Sequence, residues 1–158
     1  MIRPTRPEDS PALVAASEGT KVFSAHDIQA LREVLDDYHA TNHDAEGHRS
    51  ITLEQDGRPI GFAYYAPASM TDRTWYLWWI VVSKQVQAKG LGGRLLHAVE
   101  EAIRADNGRL LLLETSSLPE YELTRNFYVK HKFYVAAVLK DYYADGNDMV
   151  IFGKRLTV

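Results

Sequence analysis

The chain has 158 residues, 46% apolar and 25% charged, with a formal net charge of −3. That is the profile of a soluble globular protein long enough to bury one core, and its acidity argues against a nucleic-acid binder. It contains no cysteine, which excludes disulfides, thiolate zinc sites and a cysteine nucleophile.

No signal-peptide pattern opens the chain and no apolar run approaches the roughly 18 residues of a membrane span. The expectation is one cytoplasmic domain over residues 1–158, with neither nucleic acid nor membrane as partner. Residues 1–3 suit a short strand. Pro7-Glu8-Asp9 puts proline and acids where the first turn of a helix favours them, and Gly19 stops that helix. Ser24-Ala25-His26-Asp27 spells a capping box. Ile28, Leu31, Leu35 and Tyr38 follow at helical spacing, with Arg32, Glu33, Asp36 and Asp37 on the wet side. Residues 40–48 are polar and patternless, a loop. His39, His43 and His48, with Asp44 and Glu46, are read as solvated side chains rather than metal ligands.

Residues 49–54 alternate, with Ile51 and Leu53 inward, and Asp56-Gly57 is a two-residue hairpin turn into a return strand over 59–65. Thr74–Val82 is apolar on both faces, Tyr76, Trp78, Ile80 and Val82 on one and Trp75, Leu77, Trp79 and Val81 on the other, so it belongs inside a sheet. Leu91, Leu95, Leu96, Val99, Ala102 and Ile103 form one helical stripe that Asn107-Gly108 terminates. Residues 110–113 are a buried strand, joined to the earlier one by a parallel crossover. Residues 120–132 read as a helix with Leu123, Phe127 and Tyr128 along one side. Strands over 133–139 and 149–156 close the chain, joined by a loop through 144–147.

Within this order, residues 78–94 run from an apolar strand through a polar link to Gly90, Gly92 and Gly93 at a helix start. A strand that delivers a glycine-rich turn to a helix N-terminus is a device for holding phosphate, because N–H groups and the positive end of the macrodipole point outward there. Glycine lets the backbone approach closely and take positive φ. The Walker pattern requires Gly-Lys followed by a hydroxyl residue, whereas Lys89 precedes Gly90. The dinucleotide fingerprint requires glycine where Leu95 stands. Gln87, Gly90 and Gly92 instead satisfy Gln/Arg-x-x-Gly-x-Gly/Ala, which resembles the acyl-CoA loop of the GNAT superfamily of N-acetyltransferases. The element order is similar to that family over nearly the whole chain. Residues 126–133 (Asn-Phe-Tyr-Val-Lys-His-Lys-Phe) resemble its Phe/Leu-Tyr-x-x-x-Gly-Phe segment, with Lys132 where glycine is usual.

The resemblance implies an α+β fold: a mixed, mostly antiparallel sheet flanked by helices, with a β-α-β parallel crossover at the CoA loop. It implies acetyl-CoA as co-substrate and no metal. Backbone groups of Ile80, Val81 and Val82 would run beside the pantetheine, and Gln87, Ala88, Lys89, Gly90, Leu91, Gly92, Gly93 and Arg94 would surround the pyrophosphate. Tyr128 takes the position of the acid that protonates the departing thiolate; a phenol near pKa 10 and a thiol near 8.5 differ by only ~2 kcal/mol. Leu113-Glu114-Thr115 resembles a setting in which some members carry the general base, while others carry glutamate where this chain has Tyr76. Tyr121 stands where many have an asparagine that contacts pantetheine, leaving Thr124 or Arg125 as substitutes. Asp141-Tyr142-Tyr143 lies in a segment that borders the acceptor. Direct transfer to a primary amine of a small molecule is expected. A protein N-terminus or lysine, or a non-catalytic acyl-CoA-binding module, are the alternatives, and a homodimer is common among the proteins it resembles.

Overall fold

In the computed structural model, which describes residues 1–43, 47–86 and 90–157, seven strands build one sheet. They are β1 (Ile2–Pro4), β2 (Arg49–Gln55), β3 (Arg58–Pro67), β4 (Thr74–Val82), β5 (Leu110–Ser116), β6 (Tyr134–Ala144) and β7 (Asn147–Arg155). Their order is β1-β2-β3-β4-β5-β7-β6. Every neighbouring pair is antiparallel except β4 and β5. Helices α1 (Ser10–Gly19), α2 (Ala25–Asp37), α3 (Leu91–Ala105) and α4 (Glu122–Lys130) flank it. This is the α+β architecture that the resemblance implies.

Local chemistry accounts for most element boundaries. The Ser24 hydroxyl accepts from the Asp27 N–H at 3.1 Å while the Asp27 carboxylate accepts from the Ser24 N–H at 2.9 Å, so the capping box starts α2. Asp56 and Gly57 both take positive φ, 52° and 75°, as a tight hairpin turn requires. At the end of α3 it is Asn107 that turns left-handed, at φ 61°.

Two apolar layers hold the sheet. Leu13, Leu31 and Leu35 of α1 and α2 pack on Phe62, Tyr64 and Val81. Leu95, Leu96, Val99 and Ile103 of α3 pack on the opposite face against Tyr65, Leu77, Leu111 and Leu113, and Tyr128 of α4 joins them beside Phe152. Arg3 ties β1 to the N-cap of α1 and to β2, with Nη1 2.7 Å from Asp9 and Nε 2.7 Å from Glu54. Among the described residues no helix is long and apolar enough to cross a membrane.

Four readings of the sequence are corrected. Strict alternation does not hold along β4, because its register with β3 slips: Tyr64 faces Trp79 while Tyr65 faces Leu77, leaving Trp78 as an extra residue. Such a bulge turns everything after it to the other face. Trp75, Leu77, Ile80 and Val82 therefore share the α3 side, and Trp79 and Val81 share the α1–α2 side. Leu123 points to solvent at 83% exposure, since the turn over Pro119–Tyr121 resets the phase of α4. The chain after α2 is helical for another turn, Tyr38–Asn42, rather than a loop from residue 40. The closing hairpin is also longer than its apolar pattern suggests, with β6 running on through Tyr142, Tyr143 and Ala144.

Candidate active site

β4 and β5 pair at only three positions: Thr74 with Leu110, Trp75 with Leu111 and Tyr76 with Leu112. Beyond them each strand keeps its outer neighbour. Trp79 to Val82 face Tyr64 to Gly61 of β3, and Glu114 to Ser116 face Ile151 to Met149 of β7. The inner edges diverge, and the bulge at Trp78, just past the last shared pair, bends β4 away. Unpaired backbone N–H and C=O groups along such edges require partners. An extended chain bearing amides can supply them as an added strand would. Ile80, Val81 and Val82 line the β4 side of this wedge.

β4 leads to the N-terminus of α3. Gly90 is its N-cap with φ 82°, and among the described residues no side chain caps the helix. An added Cβ on Gly90 would meet nothing within 4 Å, so open space lies beside this turn. The first intrahelical bond is Arg94 N–H to Gly90 C=O, 3.0 Å. The amides of Leu91, Gly92 and Gly93 therefore lack helical partners. Arg94 is exposed and pairs with no acid among the described residues. Uncapped amides, a helix dipole and a free guanidinium suit a pyrophosphate. Gln87, Ala88 and Lys89 lie outside the described residues. Gly92 and Gly93 serve a second purpose: a Cβ would stand 3.4 Å from the Phe127 ring at the first and 2.9 Å from the His131 ring at the second. Their missing side chains let α4 close against α3, and positive φ is needed at Gly90 alone.

Tyr128 is 5% exposed and its ring packs on Phe127, Phe133 and Phe152. Burial alone pushes its phenol above the usual range. A thiolate formed in the same apolar surroundings is pushed up as well, so the gap between donor and acceptor is less affected than either value. Glu114 follows Leu113, which is buried with Tyr128 on the α3–α4 side. By strand alternation its side chain leaves from the opposite face. The acid and base candidates thus flank the sheet from its two sides.

On that opposite face the structure assembles a group not evident in the sequence. One oxygen of Glu114 accepts from the Tyr76 hydroxyl at 2.5 Å, and the other accepts from Tyr143 at 2.6 Å. Burial first, and then the bond to the Glu114 carboxylate, raise both phenols above their ordinary range. Each stays a donor at neutral pH. A carboxylate with two phenol donors keeps lone pairs for a third partner. Tyr76 occupies the alternative glutamate position, so the two base positions considered in the sequence meet in one hydrogen-bonded unit.

The Tyr121 hydroxyl donates to the Val22 carbonyl at 2.9 Å, tying the α1–α2 loop to the turn that precedes α4. Arg125 is occupied by the carbonyls of Ser116 and Leu118, at 2.7 and 2.9 Å. His48, read as a solvated loop residue, lies 2.5 Å through Nδ1 from the buried Tyr64 hydroxyl.

Comparison with known proteins adds to this geometry. The model of a family described as "Acetyltransferase (GNAT) family" matches residues 15–133. No curated protein matches the chain. Among solved structures, one from Desulfovibrio desulfuricans described as an acetyltransferase of the GNAT family shares 30% identity over 99% of both chains, with a TM-score of 0.94. An aminoglycoside 6'-N-acetyltransferase complexed with coenzyme A shares the fold at 15% identity and a TM-score of 0.76, over 100% of this chain and 98% of the other. So does a ribosomal-protein-alanine N-acetyltransferase from Brucella melitensis, at 18% identity and 0.76, over 98% of this chain and 99% of the other.

Proposed function

The chain belongs to the GNAT family of acetyltransferases, and from that premise we propose that it moves the acetyl group of acetyl-CoA directly to a primary amine of a small molecule. The observation that carries this reading is the three-residue pairing of β4 with β5 followed by divergence, beside an uncapped helix N-terminus. Pantetheine enters the wedge along Ile80 to Val82. The pyrophosphate rests on the amides of Leu91 to Gly93, with Arg94 near.

The amine nitrogen attacks the thioester carbonyl, forming a C–N bond and an oxyanion that backbone donors along β4 stabilise. The C–S bond then breaks. An acceptor bound as an ammonium first loses one proton through Glu114 to solvent. After attack its second proton passes to Glu114 and Tyr128 gives its proton to the leaving thiolate, so the products are an amide and the free thiol of CoA. Proton exchange with solvent returns Glu114 to carboxylate and Tyr128 to phenol. With no cysteine in the chain, a sequential mechanism is preferred to a covalent acyl-enzyme.

The test has two arms. A thermal-shift titration with acetyl-CoA should stabilise the protein by about 2.7 kcal/mol at 100 times the dissociation constant. Thiol release should follow when an amine is added. Tight cofactor binding with no turnover on any small amine, and turnover on peptide N-termini or lysines instead, would move the acceptor to proteins.

A further inference from the structure

A strip of aromatic side chains crosses the acceptor side of the sheet, and Glu114 lies in its middle. Trp78 and Tyr76 are ring neighbours at 6.3 Å. The Tyr76 hydroxyl reaches one Glu114 oxygen and the Tyr143 hydroxyl the other. Tyr143 in turn stands edge-on to Tyr142, with centroids 5.1 Å apart. Trp78, Tyr142 and Tyr143 are 47, 58 and 42% exposed, so the strip offers ring surface to a ligand.

Trp78 is also rigidly supported. Its ring stacks on Tyr64 at 5.9 Å and 14° and meets His48 edge-on at 5.3 Å, so the bulge that expels it from the β4 ladder sets it against a fixed wall. Behind the hairpin tip, Asp148 pairs with Lys140 at 3.2 Å and accepts from the Asp141 amide at 2.9 Å, and Asp141 accepts from the Gly146 amide at 2.8 Å.

A carboxylate held by two phenol hydroxyls attracts a cation by charge, and the Trp78 ring beside Tyr76 adds an aromatic surface on which a cation's organic body can lie. The same rings cover an apolar body and give little to the hydroxyls of a sugar or the amides of a peptide. Resting on the acetyl-transfer reading above, we propose that the acceptor is a primary amine on an aromatic or alkyl body without a carboxylate of its own. Its nitrogen sits on Glu114 and its apolar part lies along Trp78. Trp78 is then a specificity-determining residue, and Tyr76 and Tyr143 are positioning residues that fix the carboxylate.

The full chain is assayed by thiol release with acetyl-CoA and four acceptors: phenethylamine, butylamine, an amino sugar and a short peptide with a free N-terminus. The kcat/KM for phenethylamine is expected to exceed those of the sugar and the peptide at least tenfold, with butylamine between. Trp78→Ala should raise the KM for phenethylamine at least fivefold with the KM for acetyl-CoA unchanged, and Trp78→Phe should restore most of the loss. A preference for the sugar or peptide, or no change in KM in Trp78→Ala, overturns the proposal while leaving acetyl transfer intact. Binding of phenyltrimethylammonium, which cannot be acetylated, is measured in parallel by calorimetry on wild type, Trp78→Ala and Glu114→Gln. If no amine is turned over yet this cation binds and both substitutions weaken it tenfold, the cation-binding strip stands and the transfer reading falls. If the cation does not bind wild type, the strip is not an alkylammonium site and the proposal fails.

Discussion

Glu114 is held by two phenols that lie 38 and 29 residues away in the chain, so its orientation depends on side chains from two other strands. Glu114→Gln keeps the shape but cannot take a proton. The rate of acyl transfer in a single turnover is expected to fall about 100-fold or more, with the affinity for acetyl-CoA, measured by calorimetry, unchanged within twofold. Tyr128→Phe should reduce the rate of thiol release in a single turnover by a similar order, again with cofactor retained. Equal rates for Tyr128→Phe and wild type would leave that side chain a packing residue of the Phe133–Phe152 cluster. The raised phenols set a second expectation. Tyr64, Tyr65, Tyr76, Tyr121, Tyr128 and Tyr143 all hold their protons more tightly than a free phenol, burial being the first cause in each. A folded-state pKa above the unfolded one contributes stability below about pH 10, and this is lost as pH rises past that point. Tyrosine absorbance should therefore show these phenols ionising late, together with unfolding, rather than near pH 10.

At the level of elements, α4 leaves its helix through Lys132 at φ 72°, the position where the resemblance expects glycine. A left-handed residue with a Cβ costs roughly 1–2 kcal/mol, partly offset by the greater freedom of glycine in the unfolded chain. Lys132→Gly should raise stability by up to about 1 kcal/mol in a denaturant titration with kinetics unchanged. Elements whose cause is local were legible: the Ser24–Asp27 box, the Asp56-Gly57 turn, the α3 stripe and the glycine turn before it. The face of each residue in β4 was not, because the bulge at Trp78 is set by pairing with β3, and alternation alone cannot place an extra residue. Leu123 reads as inward only when the three-residue turn before α4 is counted as part of the helix. Glu114 and Tyr128 could be named as candidates from the sequence by resemblance, whereas the grip of Tyr143 on Glu114 depends on how far the β6–β7 hairpin extends, which the apolar pattern understates.

Across the whole molecule, stability is bounded on both sides of neutrality. Arg3 holds the Asp9 carboxyl below its ordinary range, chiefly through their hydrogen bond. A depressed carboxyl contributes stability above its unfolded pKa of about 4, lost as pH falls through the folded value. Arg3→Met should therefore flatten the acid limb of a stability–pH curve and leave the alkaline limb, which belongs to the tyrosines, where it was. Between those limbs the sheet is joined at its middle by Thr74, Trp75 and Tyr76 against three leucines of β5. If the carrier's amide arm completes the missing rungs, both the loaded and the spent carrier own that arm, and the acetyl group adds few contacts to it. Spent CoA should then compete with acetyl-CoA at comparable affinity. Its departure rather than acyl transfer should pace the cycle, seen as a rapid first turnover equal to the enzyme concentration before a slower steady rate.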